Sequence, residues 1–116
     1  MPSGLSIHVV DVSRGIVATG MHVEVLCGVP AVPLAVGRIG GNGLLDAPAL
    51  SGALAPGPYR AVFHVAAWYR DAGIALPAVP FLDQIVFDFG IDRADQHYHL
   101  PMKVTPWGYS CFRGGA

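Results

Sequence analysis

The sequence predicts an all-β chain, a two-sheet β-sandwich of about seven to eight strands with one short helix. Three observations carry that expectation. Apolar and polar residues alternate with a period of two over several short runs. Clusters of Gly and Pro, 15 and 10 residues in all, separate those runs. A single stretch, Ala66 to Gly73, reads as helix, with Gly73 as its stop.

The elements follow in order. Leu5 to Val12 (LSIHVVDV) reads as a strand with Leu5, Ile7 and Val9 inward and Ser6 and His8 on the opposite face. Ser13-Arg14-Gly15 is a turn. Met21 to Cys27 (MHVEVLC) is the clearest alternating run. It places Met21, Val23, Val25 and Cys27 inward and His22 and Glu24 outward, so Cys27 is expected to be buried and His22 solvated. Gly28 to Pro33 reads as loop and Leu34 to Ile39 as the third strand, with Arg38 near its end. Gly40-Gly41-Asn42-Gly43 is a turn, and without a following Lys-Ser/Thr it is no phosphate loop. Leu44 to Leu54, interrupted by Pro48 and Gly52, is expected to give a short strand and then loop, and Ala55 to Pro58 a turn.

Tyr59 to Val65 alternates again, with Tyr59, Ala61, Phe63 and Val65 on one face and Arg60, Val62 and His64 on the other. After the helix and a proline-bounded loop, Phe81 to Phe89 is the next expected strand, although Asp83 breaks its apolar face and allows a later start. His97 to Val104 and Tyr109 to Arg113 then form a hairpin about the turn Thr105-Pro106-Trp107-Gly108. His97 and His99 share one face of that hairpin and Tyr98 takes the other. Two imidazoles about 7 Å apart on one face suit proton transfer, metal binding or anion contact, and equally suit a wet sheet surface.

Composition narrows the function classes. A chain of 116 residues is expected to form one domain, residues 1–116. It is 53% hydrophobic and only 13% charged, which predicts that part of its surface is covered in an oligomer. With 7 basic and 8 acidic residues, the net charge of −1 gives no basic patch for nucleic acid. The apolar runs are too short and broken to span a membrane. The opening Met1-Pro2-Ser3-Gly4 lacks the features of a secretory leader, and two cysteines, Cys27 and Cys111, fit reduced thiols in a cytoplasm.

Four pieces of sequence carry a family resemblance over nearly the whole chain: LSIHVVDVSRG, the GNG turn, GPYRAVF, and HYHLPMKVTPWGYSCFRGG. They resemble the transthyretin-like family, and within it the 5-hydroxyisourate hydrolases, whose chains end in Tyr-Arg-Gly-Ser. The resemblance implies the transthyretin-like (prealbumin) sandwich and a homotetramer, a dimer of dimers with active sites at the interface between dimers. It implies hydrolytic opening of a lactam ring in 5-hydroxyisourate, an intermediate of urate breakdown, without cofactor or metal. It carries a first-strand histidine onto His8 and a second onto His99 as the catalytic pair, histidine being able to activate water and to protonate a departing nitrogen near neutral pH.

The resemblance also assigns substrate contacts, and here the chain departs from the pattern. The arginine expected after the turn glycine is Leu44, and the terminal tetrapeptide reads Phe112, Arg113, Gly114 and Gly115, followed by Ala116, with Cys111 where Thr or Ser is usual. A lost cation and two lost hydroxyls make the expected site less polar. The expectation is therefore hydrolysis of 5-hydroxyisourate or a related heterocycle, with Arg38, Lys103 or Arg113 as candidate replacement cations. The alternatives are a diverged hydrolase or cyclase of a specialised pathway acting on a more apolar heterocycle, and a non-catalytic ligand-binding protein. A zinc site at His8, His97 and His99, or a nucleophilic Cys111, are minor readings.

Overall fold

A computed structural model describes residues 3–115. Two four-stranded sheets pack face to face. The first runs β2-β1-β7-β8 and the second β4-β3-β5-β6. The strands are β1 (Gly4–Asp11), β2 (Ile16–Val17), β3 (His22–Cys27), β4 (Val32–Arg38), β5 (Gly57–His64), β6 (Gln84–Ile91), β7 (His97–Thr105) and β8 (Gly108–Cys111). One helix, α1 (Val65–Asp71), follows β5. The predicted sandwich and its helix are therefore present.

Alternation places the core. Ile7 and Val9 of β1, Val23 and Val25 of β3, Ala61 and Phe63 of β5 and Leu100 and Met102 of β7 point between the sheets, none more than 2% exposed. Period-two alternation turns Ser6, His8, His97 and His99, all half-buried, to the outer face of the first sheet. β1 and β7 pair in parallel, the only parallel pair among the described strands, with Ser6 opposite His99 and His8 opposite Pro101.

Several expected boundaries move, each for a physical reason. β4 begins at Val32 and includes Pro33, which is tolerated because β4 is an edge strand. β6 begins at Gln84, three residues after the expected Phe81, which is 73% exposed. Ile85, Phe87 and Phe89 share one face and pack toward the core. Leu44 to Leu54 forms no strand. Leu44 and Leu45 make single bridges to His8 and Ile39, and Pro48–Leu50 form a 3-10 turn. The two-residue β2 carries too short a pattern to be read. Cys27 is half-buried rather than fully buried, and both cysteines are free.

β8 stops at Cys111, two residues before the expected Arg113, and Pro101 explains why. The ladder pairs Met102 with Cys111, so the next rung would need an N–H from Pro101, which has none. Contact resumes two residues farther on, where the Gly114 N–H donates to the His99 carbonyl at 2.7 Å. Gly114 thus lies alongside His99.

At the far end of β1, Asp11 is fully buried and collects hydrogen bonds from the Ser13 backbone and hydroxyl, from Arg14 at 2.7 Å and from the Tyr69 hydroxyl at 2.8 Å. Burial pushes its carboxyl up, but these donors together outweigh burial and hold it below its ordinary value. This cluster ties β1 to α1.

Candidate active site

The outer face of the first sheet gathers the chemistry. Ser6 Oγ lies 2.6 Å from His99 Nδ1 and 2.8 Å from His97 Nε2, and His97 Nδ1 lies 3.0 Å from the Ser3 carbonyl oxygen. One assignment of protons satisfies the whole chain. The Ser3 carbonyl only accepts, so His97 Nδ1 carries its proton and a neutral His97 accepts at Nε2. The Ser6 hydroxyl then donates to His97, and its oxygen accepts from His99 Nδ1–H. This leaves the lone pair of His99 Nε2 free, as a general base requires.

His99 is also tuned toward neutrality. Burial lowers its pKa from the ordinary 6.5, and the nearby His8 and His97 lower it further. His8 sits one alternation along β1 from Ser6 and is fixed from behind. A Cβ built on Gly43 would overlap His8 Nε2 and stand 2.8 Å from Val17 Cγ1, and Gly43 adopts φ +83°. Only glycine suits that position. The Gly43 carbonyl accepts from Val9 N–H at 3.0 Å, and the Ile7 carbonyl accepts from Leu45 N–H at 2.8 Å. These bonds lay the turn along β1 and bring Leu44 beside His8.

The expected site residues are thus sorted. His8, His99, Leu44 and Gly114 meet on this face; a Cβ on Gly114 would touch His99 Cδ2 at 3.0 Å. Phe112 and Leu44 are exposed apolar residues, at 46% and 38%. Arg113 is engaged elsewhere. Its guanidinium lies 3.9 Å over the Tyr98 ring and donates to Gln96 and to the His97 carbonyl. Gly115 is exposed with open space around it, and Ala116 lies outside the described residues. Of the candidate replacement cations, Arg38 donates to the Gly20 carbonyl at 3.0 Å, and Lys103 is exposed farther along β7. Burial pushes the Cys111 thiol up to about 11, so it stays protonated near neutral pH and makes a poor nucleophile.

Sequence reasoning did not single out Ser6 as a functional residue. Its place on the His8 face was legible, but its role depends on the parallel register that sets it opposite His99. A cleft of about 510 Å³ opens beside it, lined by Ser6, His97, Leu44 and Asp46 among others. Its one histidine is His97, and His8 and His99 lie outside its lining on the same sheet face. A free imidazole nitrogen on that face, with a second imidazole nearby, suits general acid–base attack on a small neutral or weakly anionic ring.

The sequence pattern of the HIUase/Transthyretin family matches residues 5–114. The 5-hydroxyisourate hydrolase of Pseudomonas aeruginosa is 38% identical over 113 residues, covering 95% of this chain and 90% of that protein. The structure of Klebsiella pneumoniae 5-hydroxyisourate hydrolase superposes with a TM-score of 0.80 at 30% identity, covering 97% of this chain and 99% of that one. The crystal structure of an (S)-allantoin synthase superposes with a TM-score of 0.90 at 32% identity; it covers 98% of this chain, which spans 44% of that protein.

Proposed function

Because this chain belongs to the HIUase/Transthyretin family, we propose that it is a hydrolase that opens the cyclic amide of 5-hydroxyisourate by histidine-assisted attack of water. The observation that carries the mechanism is the hydrogen-bonded row Ser3–His97–Ser6–His99; with His97 donating to the Ser3 carbonyl and accepting from Ser6, the row gives His99 the tautomer whose Nε2 is the acceptor. His99 removes a proton from water as the water oxygen attacks the ring carbonyl. The tetrahedral intermediate collapses with cleavage of the C–N bond, the ring nitrogen takes up a proton, and a carboxylate forms. His8, one strand away, supplies that proton. The Gly114 backbone keeps the chain end against His99.

Leu44 lines the cleft, and Phe112, Gly114 and Gly115 belong to the segment after β8 that returns to His99 through the Gly114 N–H. We assign these residues substrate contact, and assign Arg113 the role of holding the chain end. The protein works as a homotetramer, a dimer of dimers, in purine breakdown in the cytoplasm. Exposed Leu44 and Phe112 support an interface on the cleft side. Reaction of freshly prepared substrate in ¹⁸O-labelled water tests the hydrolysis. One label in the new carboxylate, formed faster with protein than without, is the expected result; label uptake at the uncatalysed rate contradicts the assignment.

A second reading rests on Leu44. Leu44, an apolar residue, is the backbone bridge partner of His8, where the family resemblance leads one to expect a cation. A more apolar heterocycle would suit that cleft, whether hydrolysed, cyclised or only bound. Leu44→Arg with Gly115→Ser separates the readings. A gain on 5-hydroxyisourate favours a retuned pocket, and no gain favours a site that manages without the cation.

A further inference from the structure

The second sheet carries a separate cluster on its own outer face, on the far side of the core from His8 and His99. In the β3–β5 ladder Val23 pairs with Phe63, so the next rung sets His22 opposite His64. Their rings meet edge to face with centroids 4.9 Å apart. Glu24, two residues along β3 on the same face, has Oε2 at 2.7 Å from His64 Nε2. One nitrogen from each imidazole and one carboxylate oxygen all lie within 4.8 Å of one another. His22 is thus half-buried in a cluster rather than simply solvated.

We propose that His22, Glu24 and His64 form a binding site for a divalent transition-metal ion of the zinc class. Two imidazoles and a carboxylate make a donor set that zinc favours, with water completing a four-coordinate site. At metal–ligand distances of about 2.0–2.1 Å, tetrahedral donors stand roughly 3.4 Å apart. Reaching that spacing needs side-chain rotations only, because the Glu24–His64 pair opens by less than about 1 Å and the wider contacts close. The strands that hold the donors are hydrogen-bonded neighbours.

The surroundings fit the chemistry. Gln84 lies opposite His64 on β6, with its amide 3.4 Å from His64 Nδ1. When a metal takes Nε2, Nδ1 must carry the proton and donate it, and the Gln84 amide can turn its oxygen to accept it. Arg38, opposite His22 on β4, is drawn off toward the Gly20 carbonyl. His64 immediately precedes α1, so a bound ion would clasp β3, β5 and the start of the helix.

The test is zinc binding to metal-stripped, untagged protein, measured by calorimetry and by thermal unfolding. Wild type should bind about one zinc per chain and unfold at a higher temperature with it. His22→Ala should weaken binding at least about 100-fold, more than the 10- to 100-fold cost of losing an outer-shell partner. Gln84→Ala should weaken it about 10-fold, and His99→Ala should leave it unchanged. Glu24→Gln, which keeps shape and removes the charge, gives an independent loss where a histidine variant folds poorly. Hydrolysis of 5-hydroxyisourate by His22→Ala should match wild type. No uptake by folded wild type at up to about 100 µM zinc overturns the proposal. So does uptake that survives His22→Ala and disappears in His99→Ala, since the ion then sits on the other histidines.

Discussion

Ser6 Oγ and His99 Nδ1 stand 2.6 Å apart across a parallel strand pair in which the two residues are directly opposite. A hydroxyl that donates to His97 and accepts from His99 fixes which nitrogen of His99 is basic. In the proposed mechanism Ser6 is a positioning residue, and Ser6→Ala frees His99 to adopt the other tautomer. The expected result is a kcat about 10- to 100-fold lower with KM little changed, part of the 10²–10⁴ that acid–base assistance supplies. Ser6→Thr keeps the hydroxyl and should restore most of the rate. Adding His97→Ala to Ser6→Ala should cost little more, because the two residues serve one row. Steady-state kinetics of the three variants checks this.

The acid limb of the rate profile reports His99. Protonated His99 cannot act as a base, so activity is full where the ring is neutral and is lost as pH falls through its pKa. Burial, then His8 and His97, place that pKa below 6.5. The limb in kcat/KM should accordingly have its midpoint below 6.5, and a midpoint at or above 6.5 contradicts the environment described for His99.

Gly43→Ala tests the support of His8. The added methyl overlaps the imidazole at a residue with φ +83°. Activity should fall at least about 10-fold, with a stability loss of about 1–3 kcal/mol for the strained backbone. Gly41→Ala, in the same turn but with open space at its Cβ, should be nearly neutral.

Asp11 links pH to stability. Its folded pKa is depressed, so its contribution is present above the unfolded value near 3.8 and is lost as pH falls through the lower folded value. Removing the carboxylate with Asp11→Ala strands Tyr69, Ser13 and Arg14 donors around a buried gap, at a cost of about 3–5 kcal/mol. Tyr69→Phe removes one donor and should cost about 1 kcal/mol. Denaturant unfolding of the two variants distinguishes these magnitudes.

Much of this molecule was legible in its sequence, for reasons that differ by residue. Period-two alternation put His8, His97 and His99 on non-core faces, because a strand offers only two faces. The same signal failed at Phe81 and at Leu44 to Leu54, where apolar residues do not alternate and proline interrupts the ladder. The role of Ser6 was hidden because it depends on register between strands about ninety residues apart in sequence, which no local pattern carries. The end of β8 was readable in principle from Pro101, once the hairpin register was known. Glu24 and the histidines beside it looked like ordinary solvent-facing positions on separate strands, and only the β3–β5 pairing brings them together.

The central claim is that His99 drives hydrolysis of 5-hydroxyisourate, and an ultraviolet time course tests it most directly. The substrate is generated in place from urate, and its decay is followed with wild type, with His99→Ala and without protein. The account predicts rapid decay with wild type and a rate at least about 100-fold lower with folded His99→Ala. Decay at the spontaneous rate with folded wild type, or decay undiminished by His99→Ala, would contradict it.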